Sequence, residues 1–209
     1  MLAKVLLLKQ LYLKRLCGEV YCQNVVIREP NKINFRKSSL DEVIHSCSLC
    51  ELSKSANNKV IGSINTESRI TFITLKPIVK YSASFEMISN ISNRVFEEEF
   101  YNTLSLIKCN THLQIKDEHA IVCMEYLKSQ IDNLNPKLII IFGIDSAKYL
   151  IGGDEKLEDL RGRVLNNLLD KQRDFIVTYS ISDLLKNQSF KKAAMEDFKI
   201  AKIYLKGCK

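Results

Sequence analysis

A chain of 209 residues that is 46% hydrophobic can bury a core of its own, so a disordered tail or a fibre is excluded and one globular domain is expected. The net charge of +7 favours a polyanionic partner such as nucleic acid without requiring one. Seven cysteines, an odd number with no secretory segment and no disulfide-like spacing, fit a reducing, cytoplasmic compartment.

The opening stretch, Met1 to Leu16, has an apolar run only from Val5 to Leu8 before Lys9 interrupts it, too short for a bilayer span or a signal core. It reads as an amphipathic helix, with Leu2, Val5, Leu8 and Tyr12 near one stripe and Lys4, Lys9, Lys14 and Arg15 supplying charge. It is expected to pack on its own domain, as part of a helical extension over residues 1–40, and no membrane partner is expected. Cys17-Gly18 stops this helix, a β-rich stretch follows from Glu19 to Ile27, and Pro30-Asn31-Lys32 forms a loop.

The domain proper is expected over residues 41–209. Ser39-Leu40-Asp41-Glu42 starts a short helix that runs into the loop His45-Ser46-Cys47-Ser48-Leu49-Cys50. Arg69 to Leu75 is the first clear strand. Helical sequence from Phe85 to Phe100 leads to a strand ending at Cys109, and a helix from Glu118 to Leu134 leads to Pro136. Lys137 to Gly143 is an unbroken apolar run suited to the middle of a parallel sheet. A helix capped by Asp145 or Ser146 runs to Leu150, Asp174 to Tyr179 is the last strand, and the last helix spans Ser189 to Leu205. This alternation predicts a three-layer α/β/α sandwich around a mostly parallel, four-stranded sheet.

Cys47 and Cys50, two residues apart, can turn both thiolates to one side of a tight loop, as a metal centre needs. Cys109 and Cys123, each held by regular structure, are read as the other two ligands. Four thiolates suit tetrahedral zinc or an iron–sulfur cluster, and spacing alone does not separate them. The bland alternative is four separate buried thiols. Cys17, Cys22 and Cys208 are read as incidental. Of the histidines, His45 beside the cysteine loop is read as solvated.

Cys47-x-x-Cys50-x-Leu52, the strand leading to Pro77, Ile107-Lys108-Cys109, Cys123 with Leu127 and Gln130, Asn135 to Gly143, Leu160-Arg161-Gly162, and Val177-Thr178-Tyr179 with Leu184-Leu185 form an ordered series. The series resembles the iron–sulfur (family 4) uracil-DNA glycosylases over about residues 45 to 205. The resemblance implies an α/β sandwich that flips uracil out of DNA and a four-iron, four-sulfur (4Fe-4S) cluster on the same cysteines.

The chain departs from that family where the chemistry lies. Its first active-site loop, Gly-Glu-x-Pro-Gly, is matched here by Thr74-Leu75-Lys76-Pro77-Ile78, so Leu75 stands where Glu would orient water. Leu104-Ser105 matches the family's Thr-Asn, and a hydroxyl is too short to replace an amide reading a pyrimidine edge. Ser180-Ile181-Ser182 matches His-Pro-Ser, and Ser180 supplies no cation to a departing uracil.

The reading is therefore a cluster-binding superfamily protein, associated with nucleic acid or DNA repair, whose uracil excision is lost or much reduced. An active glycosylase, with Asp183, Glu86 or another acid standing in or with another damaged base as substrate, is one alternative; a zinc-stabilised structural protein is the other. Phe85 is the candidate base-stacking residue by resemblance, with a core aromatic as the bland reading. Lys76, Lys108, Arg161, Arg163, Lys186, Lys191 and Lys192 are candidates for phosphate contact, against a solvated face. DNA and a repair or replication protein are the expected partners, and the chain is expected to be a monomer.

Overall fold

A computed structural model of the chain describes Lys9, Tyr12 and residues 37–153, 155–169 and 171–207. The chain divides into two units, 1–36 and 37–209, and the second is described by itself. Of the expected opening helix only Lys9 and Tyr12 are described, both helical; the rest of it, the stretch from Glu19 to Ile27, Cys17, Cys22 and Cys208 lie outside the described residues.

The centre is a parallel four-stranded sheet. In chain order, β1 is Asn58–Lys59, β2 Ile70–Thr74, β3 Asn102–Ser105, β4 Cys109–Asn110, β5 Leu138–Phe142 and β6 Phe175–Thr178. The sheet order is β3-β2-β5-β6, with Thr74 paired to Ser105, Ile73 to Ile141 and Phe142 to Thr178. All five residues of β2 and of β5 are buried, which is why β5 reads as a continuous apolar run.

Helices cover both faces. They are α1 (Lys37–Ser46), α2 (Leu52–Ser55), α3 (Ala83–Asn90), α4 (Asp117–Leu134), α5 (Ile144–Ala147), α6 (Leu157–Leu160), α7 (Ile181–Lys186) and α8 (Gln188–Gly207). Alternate strand residues point to opposite layers. Ile73, Ile139, Ile141 and Val177 join Leu127 and Ile131 of α4 in one core. Ile70, Phe72, Ile140, Phe142 and Ile176 meet Ile88, Leu184 and Phe198 of α3, α7 and α8 in the other. The expected α/β/α sandwich is what the structure has.

Two expected elements are corrected. The helix after Phe85 stops short of Phe100: α3 passes into a π-helical turn, Ile91–Phe96, that ends on Glu97 at φ +59°. The strand expected to reach Cys109 ends at Ser105, because Leu106, Ile107 and Lys108 leave the sheet before Cys109 pairs with Lys59 in a separate two-stranded ribbon.

The topology fixes where a ligand can sit. From β2 the chain passes through α3 to β3 on one side, then returns through α4 on the opposite face to β5 on the other side of β2. The carboxyl ends of β2 and β5 therefore diverge, and open parallel sheets bind ligands in the crevice at such a switch point.

Candidate functional site

A cavity of about 370 Å³ opens at that switch point. Thr74 to Ile78 after β2, Phe142 to Ser146 after β5, and Ser180 to Asp183 after β6 supply most of its wall, with Ser84 from α3. The chain is brought close here by Gly143, whose φ of +89° suits glycine and whose absent Cβ would lie 3.0 Å from the Cβ of Ser180. Its N–H donates to the Thr178 carbonyl at 2.9 Å, fixing the β5 exit against β6.

Two of the three positions matched to catalytic groups, Leu75 and Ser180, carry structural tasks, and the third, Ser105, is buried. Leu75 is half-buried and packs against the core on the α4 side. The Ile107 N–H donates to its carbonyl at 3.0 Å, so the loop is held by backbone bonds. Ser105 is buried at the end of β3, and among the described residues its Oγ has no hydrogen-bond partner. Ser180 is the N-cap of α7: its Oγ accepts the Asp183 N–H at 3.1 Å and donates to Asp183 Oδ2 at 2.6 Å. The hydroxyl is thus committed to the helix start. Leu75 and Ser180 line the cavity, and Ser105 stands outside its wall.

The polar groups that do face the cavity include Lys76, Asp145 and Asp183, all exposed. Of the acids named as stand-ins, Asp183 lines the wall and Glu86 does not; Asp145 is a further acid there. The Thr74 hydroxyl donates to the Lys76 carbonyl at 2.8 Å and holds the loop that carries the lysine. Half-buried Phe85, one residue beyond Ser84, is not among the described residues of the wall.

On the α4 side of the sheet the four cysteines approach one another. The loop carrying Cys47 and Cys50 is clamped by Lys59, whose ammonium donates to the His45 carbonyl at 3.0 Å and also to that of Cys47. Lys59 is in turn the ribbon partner of Cys109. Glu51 ties the same loop to the start of α4, accepting from Lys116 Nζ at 3.2 Å and lying 3.6 Å from His119 Nε2. One turn later α4 presents Cys123, buried as Cys109 is.

Burial pushes the Cys109 thiol up to about 11, with Cys123, Cys50 and Cys47 adding to the rise. Cys123 is raised too, chiefly by burial and further by Cys50 and Cys47. Tyr126 is pushed up by burial and by its hydrogen bond to Cys47. The donor set is all sulfur, and deprotonating it would crowd negative charge into a buried place, a demand that a cationic inorganic centre relieves. Among the described residues no three His, Cys, Asp or Glu side chains are gathered as a single ion requires.

The basic candidates separate into three kinds. Lys108 is corrected: it is 2% exposed, donates to the Ser105 carbonyl at 2.6 Å and to Gln130 Oε1, and burial lowers it to about 7. No local sequence signal marks that burial, and no phosphate reaches it. Arg161 turns inward, donating to Asp197 and to the Ala193 carbonyl with its guanidinium 4.7 Å over the Tyr179 ring. Lys76, Lys186, Lys191 and Lys192 are exposed, and so is Arg163, which donates to the Asp159 carbonyl.

Close to the cavity, Tyr81 combines 91% exposure with φ +64°. It is the third residue of a turn closed by the Ser82 N–H on the Val79 carbonyl at 3.2 Å, a place where positive φ ordinarily calls for Gly or Asn. A bulky residue held there costs on the order of 1–3 kcal/mol.

The family described as the uracil DNA glycosylase superfamily matches residues 61–199. A type-4 uracil-DNA glycosylase of Thermotoga maritima is 25% identical over 183 residues, covering 80% of this chain and 93% of that protein. Those of Saccharolobus solfataricus and Sulfurisphaera tokodaii are 27% and 26% identical, covering 78% and 77% of this chain and 82% and 80% of their own lengths. The match takes in the whole strand-end cavity and the sheet beneath it: the chain belongs to the uracil DNA glycosylase superfamily.

Proposed function

We propose that this chain is an iron–sulfur-binding, DNA-associated member of the superfamily in which uracil excision is lost or strongly reduced. The observation that carries the reading is where the motif positions stand: Leu75 packs into the core, Ser180 caps α7, and Ser105 is buried outside the cavity wall. Removing one preorganised group of this kind costs two to three powers of ten in rate, roughly 3 kcal/mol. DNA engagement is supported by the superfamily match, by the net charge of +7 and by exposed Lys76, Lys186, Lys191 and Lys192. Flipping a base costs a few kcal/mol, which the cavity would have to return by contact alone.

Cys47, Cys50, Cys109 and Cys123 would hold the cluster. The reading is supported by an all-sulfur donor set whose members raise one another's thiol pKa. Bound there, the cluster would cross-link the loop, the ribbon and α4. Iron and sulfide analysis with visible absorbance tests this; colourless, zinc-loaded protein would sink it.

A second reading is favoured by one observation, the presence of Asp145 and Asp183 in the cavity. Either carboxylate could orient a water for hydrolysis of the N-glycosidic bond of a base other than uracil. Uracil-containing single- and double-stranded DNA, and DNA carrying other damaged bases, decide between the two. Uracil release at a relative's rate ends the first reading; release of another base that Asp145→Asn or Asp183→Asn abolishes establishes the second.

A further inference from the structure

The loop leaving the cavity wall ends in an aromatic ring that the fold does not use. Tyr81 is 91% exposed, yet its backbone is pinned on both sides. The Ser82 N–H donates to the Val79 carbonyl, and the Ser82 hydroxyl accepts the Phe85 N–H at 3.2 Å as the N-cap of α3. A residue just ahead of a helix N-cap commonly packs on an apolar side chain in the second turn. Here that position is Glu86, exposed and acidic, so Tyr81 makes no such staple. Strain borne without burial in return points to a use outside the folded core.

The surroundings name the chemistry. Lys76 and Lys80 are exposed on the same loop, and neither forms an ion pair among the described residues. Val79 beside them is 41% exposed. Lys76, Pro77 and Ile78 line the cavity, so the ring stands a few residues from its mouth. An aromatic face in water beside exposed cations is the arrangement that holds single-stranded nucleic acid, the ring stacking on a base and the ammonium groups meeting phosphates.

We propose that Tyr81 is a base-stacking platform on the cavity rim, holding an unpaired nucleotide next to the one admitted to the cavity, with Lys76 and Lys80 on the flanking phosphates. The proposal rests on the DNA reading above and adds to it a preference for single-stranded or locally unpaired DNA. Duplex bases already stack on each other and offer the ring no face. Because every base has a π-face, the contact carries no base preference.

The test is binding of the full chain to a single-stranded oligonucleotide bearing 2-aminopurine next to a uracil, beside the matching duplex. Tyr81→Ala is expected to weaken single-strand binding roughly 5- to 150-fold and to abolish 2-aminopurine quenching. Tyr81→Trp retains both, and duplex binding moves little. Tyr81→Gly loses the ring but relieves the positive φ, so it should bind as weakly as Tyr81→Ala while melting no lower than the parent. The salt dependence of binding should flatten in Lys76→Ala with Lys80→Ala and stay unchanged in Tyr81→Ala. Parent-like binding by both Tyr81→Ala and Tyr81→Gly overturns the platform and leaves the DNA reading standing. A parent chain that binds no oligonucleotide overturns both.

Discussion

Arg161 and Asp197 meet at 3.1 Å across the edge of the sheet, with the carboxylate side chain 1% exposed and the guanidinium 20%. Thr178, at the end of β6, donates to the same carboxylate at 2.8 Å. The pair thus ties the loop after α6 to the strand end that leads to Ser180. Burial holds the Asp197 carboxyl above its ordinary 3.8, and the Thr178 and Arg161 donors pull it only part of the way back. Arg161→Gln would leave a buried carboxylate without its cation, at a cost of roughly 3–5 kcal/mol near neutral pH. That variant's folded carboxyl sits higher still, so between 3.8 and its raised value the native state binds more protons than the unfolded state. The variant therefore loses stability as pH rises through that window and regains it as pH falls. Urea unfolding at stepped pH should show a gap from the parent that is widest near neutrality and narrows in acid; a gap independent of pH would contradict this.

Gly143 and Ser180 make a close approach at the cavity itself. Gly143→Ala faces both a left-handed φ of +89° and a Cβ 3.0 Å from that of Ser180. The expected loss is about 1–3 kcal/mol, or a fall in Tm of roughly 2–4 °C per kcal/mol for a domain of this size. In a Ser180→Gly background the clash disappears while the φ strain remains, so the two substitutions should cost less together than their sum. Strict additivity in thermal melts would show that the contact carries no energy.

Much of this architecture was legible. The unbroken run Leu138–Phe142 announced a strand buried on both faces, and the alternation with α4 and α8 announced the layers. The early end of α3 was not legible, since a π-helical turn depends on how Ile91 and Phe96 pack. Lys108 misled because its interior location depends on acceptors from Ser105 and Gln130, 3 and 22 residues away. Against the family motif, Ser180 reads as a replaced histidine. Its spacing to Asp183 is also that of a helix N-cap and an acidic third residue, a local signal that predicts its observed bonds. The clamp from Lys59 to the cysteine loop had no signal of its own, because it needs the ribbon that pairs Lys59 with Cys109.

Cys109 joins the ribbon to the proposed cluster, and its side chain is buried among Cys123 and the α4 core. Cys109→Ala should be recovered with little or no iron and sulfide, and with a stability loss on the order of 4 kcal/mol, since loss of a metal centre belongs to the most damaging class of change. Cys109→Ser, closer in shape, should fare little better, because a hydroxyl is a poor replacement for a thiolate on iron. Unchanged metal content and an unchanged melt in both variants would remove Cys109 from the ligand set.

Restoring activity should require several positions at once. Leu75→Glu alone places a carboxylate where a half-buried side chain packs on the core, and Ser180→His alone removes the N-cap of α7, costing about 1 kcal/mol. Ser105→Asn alone adds an amide at a buried strand end outside the cavity wall. Groups that act as a unit give little until all are present, so each single variant should release no more uracil than the parent. The triple variant, checked for a native circular dichroism spectrum, should release uracil measurably, with the histidine alone accounting for roughly two to three powers of ten by comparison with the Leu75→Glu, Ser105→Asn double variant. Release by the parent at the triple variant's rate would show that Asp145, Asp183 or Lys76 already performs the task, and a folded but inert triple variant would show that the cavity itself no longer admits the base.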